Sequence, residues 1–600
     1  MKTAVKKQAA VAAHTIKAGL AMIIPVLFIG SIAVLLNGFP LQSYQDFLDS
    51  FLGGAPRSII ITIQNSTIGS LAIYITIAIS LSFMKQTGGS MKPVFRFGSV
   101  LGCLTGFFIL VGFFSGEPDL TLLSGQGVFS ATIAGLSGSI MYRRFDSLFR
   151  RRRMHFVEGA ESEFNASLYI ILPFLCVALC FAVVNYLISE CFKVQSMQHL
   201  FMKAMEMIFM RRHRSYSSGL LFIILAGIMW WFGIHGNNVL DQVATDMFAA
   251  IIPGETVSKS FMDVFVNMGG TGCTLGLLFA LMFFGRRSTS KHLAGMALLP
   301  GIFNIGELVI FGFPVIYNPF MLIPFILAPT LCFTNAFLLT QAGFVPQVVN
   351  PVAWTTPALM GGYIATGSYK GMFVQLMNIL ISAACYAPFV VMNEKRSEEK
   401  LSSSMEKLVG ILRESENGAD KPVLTECEGE VGRLARRLAV ELEASLVYFA
   451  KDTVAGKAEN PLFIRYETMF DSEGVCIGAK VVPGWAHKLY GSIYLPLIIR
   501  IAEECGELYR LETCIAERAA DNLQSFKQRF GTQYRLDIDI SASTLSDDRL
   551  LSFLQSMADR YRLRAGSICF KLRDEMGASD MEKISARIER IRLYGYGFTL

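Results

Sequence analysis

One histidine and one glutamate, each inside glycine-interrupted apolar sequence, constrain this chain more than any other feature. His235 lies in the run Trp-Trp-Phe-Gly-Ile-His-Gly-Asn-Asn at residues 230–238, and Glu307 lies in Phe-Asn-Ile-Gly-Glu-Leu-Val-Ile-Phe-Gly at residues 303–312. A charge at bilayer depth costs about 2.5 kcal/mol or more, and irregular backbone survives there only where it lines a cavity. We therefore expect a polar solute to be bound between these two side chains.

The distribution of charge divides the chain into two parts. Hydrophobic residues make up 52% of the 600 residues, charged residues only 17%, and the mean hydropathy is +0.45, which is unusual for a soluble protein of this length. Charges are sparse up to about Met392 and closely interleaved from Asn393 onward. The pattern predicts a membrane domain at residues 1–395, a charged linker at 396–428 and a cytoplasmic domain at 429–600.

The apolar runs of the first part have the length of membrane helices, for which about 20 residues are needed. They cover residues 16–36, 59–84, 97–114, 120–141, 167–188, 218–233, 320–339 and 371–392. Residues 269–284 and 345–367 are rich in Gly, Pro and Thr and favour re-entrant hairpins. We predict an α-helical membrane domain of about ten transmembrane or re-entrant segments.

Basic residues in the short connections predict the orientation. Lysines precede the first span, and basic residues follow the second span and the fourth, whereas the intervening connections are mainly acidic. The basic positions are Lys2, Lys6, Lys7, Lys85, Lys92, Arg96, Arg143, Arg144 and Arg150 to Arg153; the acidic positions are Asp46, Asp49, Glu117 and Asp119, against Arg57. Both termini are expected in the cytoplasm, without a cleavable signal. An interfacial helix at 194–210 leaves the side of residues 190–215 open.

The cysteines and the net charge call for no further chemistry. The twelve cysteines lack paired metal-ligand spacing and are expected to be small buried hydrophobic residues in a reducing compartment. The net charge of +6 reflects the basic residues on the cytoplasmic side. We expect no metal, no cofactor and no nucleic acid.

Four motifs occur in the order of a known family. They are Phe-Gly-Ile-His-Gly at 232–236, Val-Asn-Met-Gly-Gly-Thr-Gly at 266–272, residues 303–319, and Asn-Pro-Val-Ala-Trp-Thr-Thr-Pro at 350–357 running into 362–367. Residues 17–392 thereby resemble the membrane subunit, enzyme IIC, of the bacterial sugar phosphotransferase system, in its lactose and cellobiose/N,N'-diacetylchitobiose branch. The resemblance implies a homodimer in the cytoplasmic membrane that imports a disaccharide-type sugar. It also implies that a separate phosphocysteine subunit, IIB, itself served by IIA, phosphorylates the sugar at C6.

The residue types suit that chemistry, because a carboxylate and an imidazole in a low-dielectric site can orient a hydroxyl and accept its proton. The resemblance implies that Glu307 is the sugar-binding glutamate and His235 its partner. Asn304, Asn238 and Thr271 are expected to bind hydroxyls, and Trp354 to stack on a pyranose. The alternatives are a helix-end histidine, a helix-capping glutamate and an interfacial tryptophan.

The chain departs from the family at the two residues that flank the glutamate. The family usually has Asn-Glu-Pro, whereas this chain has Gly306, Glu307 and Leu308. The change removes an amide and a rigid proline, so it bears on sugar identity and on transport competence. The chain has no phosphocysteine loop and no IIA-like histidine domain, so partners must supply the phosphoryl group.

The linker carries a short apolar seam at Leu401, Met405, Leu408 and Leu412. These residues recur at gaps of four, three and four, which is the spacing of a heptad repeat. Two interpretations stay open: a short two-stranded coiled coil that continues the membrane dimer, or a single amphipathic helix.

The second part resembles an EAL domain, the barrel that hydrolyses cyclic di-GMP in its active members. Strands are expected at 463–466, 536–541, 568–572 and 592–600, and a helix at 496–506. The family's metal-binding and phosphate-binding positions fall on Lys480, Gly484, Asp539 and Lys571. Hydrolysis needs carboxylate-bound metal, and ammonium groups repel it. We predict a degenerate, partial barrel without phosphodiesterase activity or nucleotide binding, either truncated at Leu600 or completed by another chain.

Two functions of different class remain. The retained His235 and Glu307 favour a permease, while Gly306 and the fused regulatory-type domain favour a membrane sensor that binds sugar without transporting it. A membrane-anchored phosphodiesterase is excluded by Lys480 and Lys571.

Overall fold

The computed structural model describes residues 2–39, 41–87, 93–114, 118–150, 162–210, 212–416, 422–427, 429–451, 461–573 and 578–599. Of the residues used to predict orientation, Lys92, Glu117 and Arg151 to Arg153 lie outside these ranges, as does Leu600. The chain divides into two compact units, Met1–Lys395 and Arg396–Leu600.

The first unit is helical. Its helices are Lys2–Met22, Ile24–Asn37, Gln42–Ser50, Ala55–Thr67, Leu71–Thr87, Pro93–Val111, Val128–Arg150, Ser162–Phe192, Met197–Phe209, Tyr216–Trp231, Gly236–Val239, Asp241–Val243, Lys259–Phe265, Thr274–Phe284, Ser288–Ile302, Glu307–Gly312, Pro319–Gln341, Met360–Thr366 and Tyr369–Glu416, the last of which extends past residue 395. Short helical turns lie at Phe51–Gly54, Ile68–Ser70, Leu120–Leu123, Gly125–Gly127 and Ala244–Phe248.

Several of these helices are long and apolar enough to cross a membrane. Within the described residues there are five such stretches: Gln42–Thr87, Pro93–Val111, Glu163–Phe209, Pro319–Gln341 and Tyr369–Ser415. A sixth is formed if the pair Val11–Met22 and Ile24–Asn37, bent by 49°, is one broken span. Tyr216–Trp231 and Thr274–Phe284 are shorter apolar helices. Leu175, Leu179 and Val183 on Ser162–Phe192 are exposed, as expected of a lipid-facing surface.

The glycine-rich segments are broken rather than straight helices. Residues 269–273 form an irregular loop before Thr274–Phe284, and most of 345–359 is irregular before Met360–Thr366. Three non-glycine residues at such breaks have positive φ angles, namely Cys273 (54°), Asn304 (64°) and Leu359 (73°). Left-handed conformations at non-glycine residues cluster at ligand sites. We therefore expect a ligand site next to these breaks.

Two hydrophobic clusters form the interior of the first unit. One includes Leu27, Leu71, Trp230 and Ile310. The other includes Phe222, Ala244 and Met262. Residues of both clusters line the cavity described below, so the site lies where the two meet.

The second unit is an α/β fold built on a six-stranded sheet. Its strands are β1 (Leu462–Phe470), β2 (Cys476–His487), β3 (Gly491–Ser492), β4 (Arg535–Ile540), β5 (Ile568–Leu572) and β6 (Gly597–Thr599), in the order β1-β2-β4-β5-β6 with β3 beside β2. The β1–β2 pair is antiparallel, and the pairs from β2 through β4 and β5 to β6 are parallel. The helices are Gly429–Lys451, Leu495–Glu504, Leu508–Phe530, Ala542–Leu545, Arg549–Tyr561 and Ala578–Leu593, with a turn at Leu424–Glu426.

Strand β4 directs apolar residues into a core on one face of the sheet and polar residues to the other face. Leu536, Ile538 and Ile540 of β4 are buried in that core, while the alternating residues, including Asp537 and Asp539, face the other way. Leu408 and Leu412 of the apolar seam belong to the same core, with exposures of 0% and 6%. The seam thus packs within its own unit as an amphipathic helix.

Candidate functional site

A single cavity brings the predicted site residues together. It has a volume of about 320 Å³, and its wall includes His235, Glu307, Asn304, Asn238, Thr271 and Trp354. That volume suits a small polar molecule. The irregular backbone at residues 270–271 and 304–306 forms part of the wall.

His235 is held by the end of one helix and the start of the next. It follows the helix Tyr216–Trp231 and caps Gly236–Val239, where its Nδ1 accepts a hydrogen bond from the backbone N–H of Asn238 at 3.3 Å. A ring nitrogen that accepts carries no proton, so the proton of the neutral ring is on Nε2. Nε2 lies 3.4 Å from Oε1 of Glu307. Helix capping and partnership with Glu307 therefore use different nitrogens of the ring.

Glu307 is the first residue of the short helix Glu307–Gly312. Its side chain and that of His235 are each 17% exposed. Its Oε2 is buried and has no hydrogen-bond partner among the described residues. Such an oxygen carries a desolvation cost of about 1–3 kcal/mol until a donor reaches it. A hydroxyl of a ligand in the cavity would satisfy it.

The glycine before Glu307 is required by a close backbone approach. A Cβ atom at Gly306 would lie 2.6 Å from the carbonyl oxygen of Gly269 and 2.7 Å from Oγ1 of Thr274. Neither neighbour is the free end of a flexible side chain, so an asparagine could enter only if the loop moved. The packing of residues 269–274 against the glutamate segment thus explains why glycine, and not the family's asparagine, precedes Glu307.

Asn304 has its amide committed to the protein. Oδ1 accepts from the N–H of Gly269 at 2.9 Å, and Nδ2 donates to the carbonyl oxygens of Trp354 (2.7 Å) and Thr356 (3.0 Å). Asn304 therefore joins three irregular segments of the wall. Its predicted hydroxyl contact stays a prediction, with one acceptor position left for it.

The other three predicted residues differ in exposure. Thr271 is buried in the cavity wall, Asn238 is half-buried, and Trp354 is 53% exposed. The wide exposure of Trp354 leaves ring surface available to a ligand, and its role as a stacking surface stays a prediction.

Sequence reasoning missed several polar residues of the wall. The ring of Trp230 lies 4.5 Å from that of His235, and its buried Nε1 has no partner among the described residues. Asp241, Lys259, Asp263 and Asn267 also line the cavity. Their charges could have drawn attention to them, since charged residues are rare in the first unit. However, these residues lie on or next to helices too short to be recognised from hydropathy.

The comparisons with known proteins identify the family of the first unit. The family model "Phosphotransferase system, EIIC" matches residues 17–329, which is more than half of the chain. The chain belongs to the phosphotransferase system EIIC family. EIIC proteins are sugar permeases of the membrane that work with IIB and IIA phosphotransfer partners, and this chain is such a permease of the lactose/cellobiose/chitobiose type.

Individual relatives cover most of the first unit. The oligo-beta-mannoside-specific EIIC component of Bacillus subtilis is 26% identical over 413 residues, 64% of this chain and 88% of that protein. The cellobiose-specific EIIC component of Lactococcus lactis is 30% identical over 218 residues, 31% of this chain and 44% of that protein. The crystal structure of ChbC, the IIC component of the N,N'-diacetylchitobiose system, aligns with 24% identity over 67% of this chain and 98% of that one, with a TM-score of 0.37.

The second unit carries an EAL domain, whose model matches residues 454–600, so the chain is a fusion. Nζ of Lys480 lies 2.9 Å from Oδ2 of Asp539, and the resemblance described above assigns both positions to metal ligands. Nearby, Arg573 lies 3.0 Å from the buried Glu512, and burial raises the pKa of Glu512 although Arg573 opposes the shift. Within the described residues, no three His, Cys, Asp or Glu side chains are placed to hold a metal ion.

Proposed function

We propose that this EIIC protein binds a disaccharide-type sugar in the cavity at His235 and Glu307 and presents its C6 hydroxyl for phosphorylation during import. The observation that carries the proposal is the 3.4 Å approach of Nε2 of His235 to Oε1 of Glu307, beside an unpartnered Oε2. Nε2 of His235 faces one carboxylate oxygen of Glu307. The other oxygen is then free to accept a hydrogen bond from a substrate hydroxyl.

These residues account for the bonds and the proton that change in the transfer step. The phosphoryl group moves from the phosphocysteine sulfur of IIB to O6 of the sugar; the S–P bond breaks, the O6–P bond forms and the sulfur leaves as thiolate. Glu307 accepts the proton of the C6 hydroxyl as O6 attacks. His235 orients the carboxylate through Nε2, the ring nitrogen that does not cap the helix. Positioning the hydroxyl against a fixed carboxylate lowers the entropic cost of reaching the transition state.

The remaining features of the proposal follow from the family and from the distribution of charge. Relatives named for cellobiose and for oligo-beta-mannosides support a β-linked disaccharide as the sugar class. In this proposal both termini lie in the cytoplasm, as the basic connections predict, and IIB acts on the bound sugar from the same side. The permease acts as a homodimer with one cavity in each protomer.

Uptake in cells tests the proposal. Radiolabelled cellobiose, lactose and N,N'-diacetylchitobiose are supplied to cells that express the chain, with and without the general phosphotransfer proteins. We expect one of these sugars to accumulate as its phosphate only when those proteins are present. Accumulation of unmodified sugar without them, or no accumulation of any of the three, would contradict a phosphotransferase permease.

A second candidate function is a sugar sensor that binds without transport. The Lys480–Asp539 ion pair favours it, because a cationic side chain at a metal position makes the EAL domain a candidate for a binding or regulatory role instead of catalysis. Deleting the residues after Met392 separates the two functions. A permease keeps uptake after the deletion, whereas a sensor keeps sugar binding and loses its cellular response.

A further inference from the structure

The sugar cavity contains a second set of charged side chains. Nζ of Lys259 lies 3.0 Å from Oδ1 of Asp241, and Oδ1 of Asp263 accepts a hydrogen bond from Nδ2 of Asn267 at 3.1 Å. All four residues line the cavity, on or next to the helices Asp241–Val243 and Lys259–Phe265. Neither helix supplies His235 or Glu307.

The charges in the cavity wall do not balance. Its described lining contains three carboxylates, those of Asp241, Asp263 and Glu307, and the single ammonium of Lys259. That ammonium pairs with Asp241. In the described parts of the chain, no Lys or Arg nitrogen lies within 4.0 Å of the carboxylate oxygens of Asp263 or Glu307. The wall therefore holds three carboxyl groups against one lysine, and of the three only Asp241 contacts that lysine directly.

Two polar atoms in the same wall indicate what would fill it. The side chain of Trp230 is 2% exposed, and its Nε1–H lacks an acceptor among the described residues. Oε2 of Glu307 lacks a donor in the same set. A hydroxyl both donates and accepts, so an uncharged polyol satisfies both atoms. An anionic group placed between the two atoms would accept from the indole but could not donate to the carboxylate, and it would meet the negative charges of the wall.

We propose that this cavity selects its ligand by charge, with Asp263 as a specificity-determining residue. Uncharged sugars bind through their hydroxyls, while acidic sugars and sugar phosphates are repelled. The inference rests on the proposed function. There, transfer adds a phosphoryl group with a charge of about −1.5 to −2 at neutral pH. The wall that accepted the neutral sugar then expels its phosphorylated product, because like charges repel strongly in a low-dielectric site.

The ratio of two dissociation constants measures this selection. The full chain is purified in lipid nanodiscs. Binding is measured for cellobiose, lactose and N,N'-diacetylchitobiose, for the 6-phosphate of each, and for cellobiouronic acid, whose C6 carboxylate is an anion without phosphorus. We expect the anionic form of the bound sugar to bind at least ten-fold more weakly than the neutral form.

Variants that change charge in opposite directions make the test specific. Asp263→Asn removes a negative charge from the wall and should lower the anionic-to-neutral ratio of dissociation constants at least three-fold. Lys259→Gln removes the positive charge and should raise it. Asp246→Asn is the matched control, because Asp246 is exposed, bonds Gln242 and does not line the cavity; it should leave the ratio unchanged.

The outcomes test selection by charge separately from the proposed sugar phosphorylation. Opposite shifts in the two variants, with no shift in the control, support selection by charge. Equal binding of neutral and anionic forms by the unmodified chain, or shifts of the same sign in both variants, overturn selection by charge and leave sugar phosphorylation standing. Failure to bind any of the three neutral sugars would overturn both.

Discussion

The side-chain amide of Asn304 ties the segment that precedes Glu307 to the segment that bears Trp354. Its Nδ2 lies 2.7 Å from the carbonyl oxygen of Trp354, and its Oδ1 accepts the N–H of Gly269. A backbone with φ of 64° at Asn304 places the amide between these partners. Three irregular segments, which have few regular backbone hydrogen bonds of their own, are therefore held together by one side chain.

Replacing Asn304 with Asp should separate these segments. The isosteric carboxylate keeps the acceptor for Gly269 but faces the carbonyl oxygens of Trp354 and Thr356 without a proton to donate. We expect sugar affinity to fall by about 1 kcal/mol, the usual net contribution of a hydrogen bond, because the wall segments lose the amide that joins them. Calorimetric titration of the bound sugar checks this. Asn335→Asp, at an amide outside the cavity that donates to Asn378, is the control for loss of an amide donor alone.

Introducing the family's asparagine at Gly306 should impair this protein instead of improving it. The added Cβ would meet the carbonyl of Gly269 at 2.6 Å, so residues 269–274 would have to move. We expect overpacking to cost about 1–3 kcal/mol of stability. Thermal unfolding in detergent, with and without sugar, measures this loss. A variant with a raised melting temperature and tighter sugar binding would show that the close approach is not a constraint.

Two substitutions of His235 separate its helix cap at Asn238 from its contact with Glu307. His235→Asn keeps a side-chain acceptor for the N–H of Asn238, because asparagine is a good helix cap, but removes the group that faces Glu307. His235→Ala removes both. We expect both substitutions to weaken sugar binding by about 1–3 kcal/mol. Only His235→Ala should also lower the free energy of unfolding, because it alone removes the helix cap. If neither changes the dissociation constant, His235 has a structural role only.

Much of the candidate site was predictable because a charged or polar residue is conspicuous within an apolar membrane sequence. His235 and Glu307 stand out against an uncharged background, and the motifs around them place six residues in one cavity. The contribution of Trp230 was not predictable, since a tryptophan in an apolar helix is ordinarily a packing residue. Asp241, Lys259 and Asp263 meet in space through short helices whose arrangement depends on tertiary packing. The seam at Leu408 and Leu412 had two interpretations, and only the burial of these leucines in their own unit favours one.

The EAL domain should stay inactive when one metal ligand is restored. Lys480→Glu would place a carboxylate beside Asp539 in place of the ion pair. Lys571 remains, and so does Gly484, where the family has a phosphate-binding arginine. We expect no hydrolysis of cyclic di-GMP by the full chain or by the variant in Mg²⁺ or Mn²⁺, and no binding at micromolar concentration. Product formation in either would show that the remaining side chains suffice to hold the metal.

The most direct test of the account is phosphorylation of the bound sugar by the Glu307→Gln variant with phosphorylated IIB. The amide keeps the shape of the side chain but accepts no proton and carries no charge. We expect phosphorylation to fall at least a hundred-fold while the variant still folds and assembles. The control Glu190→Gln, at an exposed glutamate paired with Lys193, should phosphorylate sugar at the unmodified rate. Undiminished phosphorylation by Glu307→Gln would contradict the assignment of Glu307 as the proton acceptor and, with it, the mechanism proposed for this cavity.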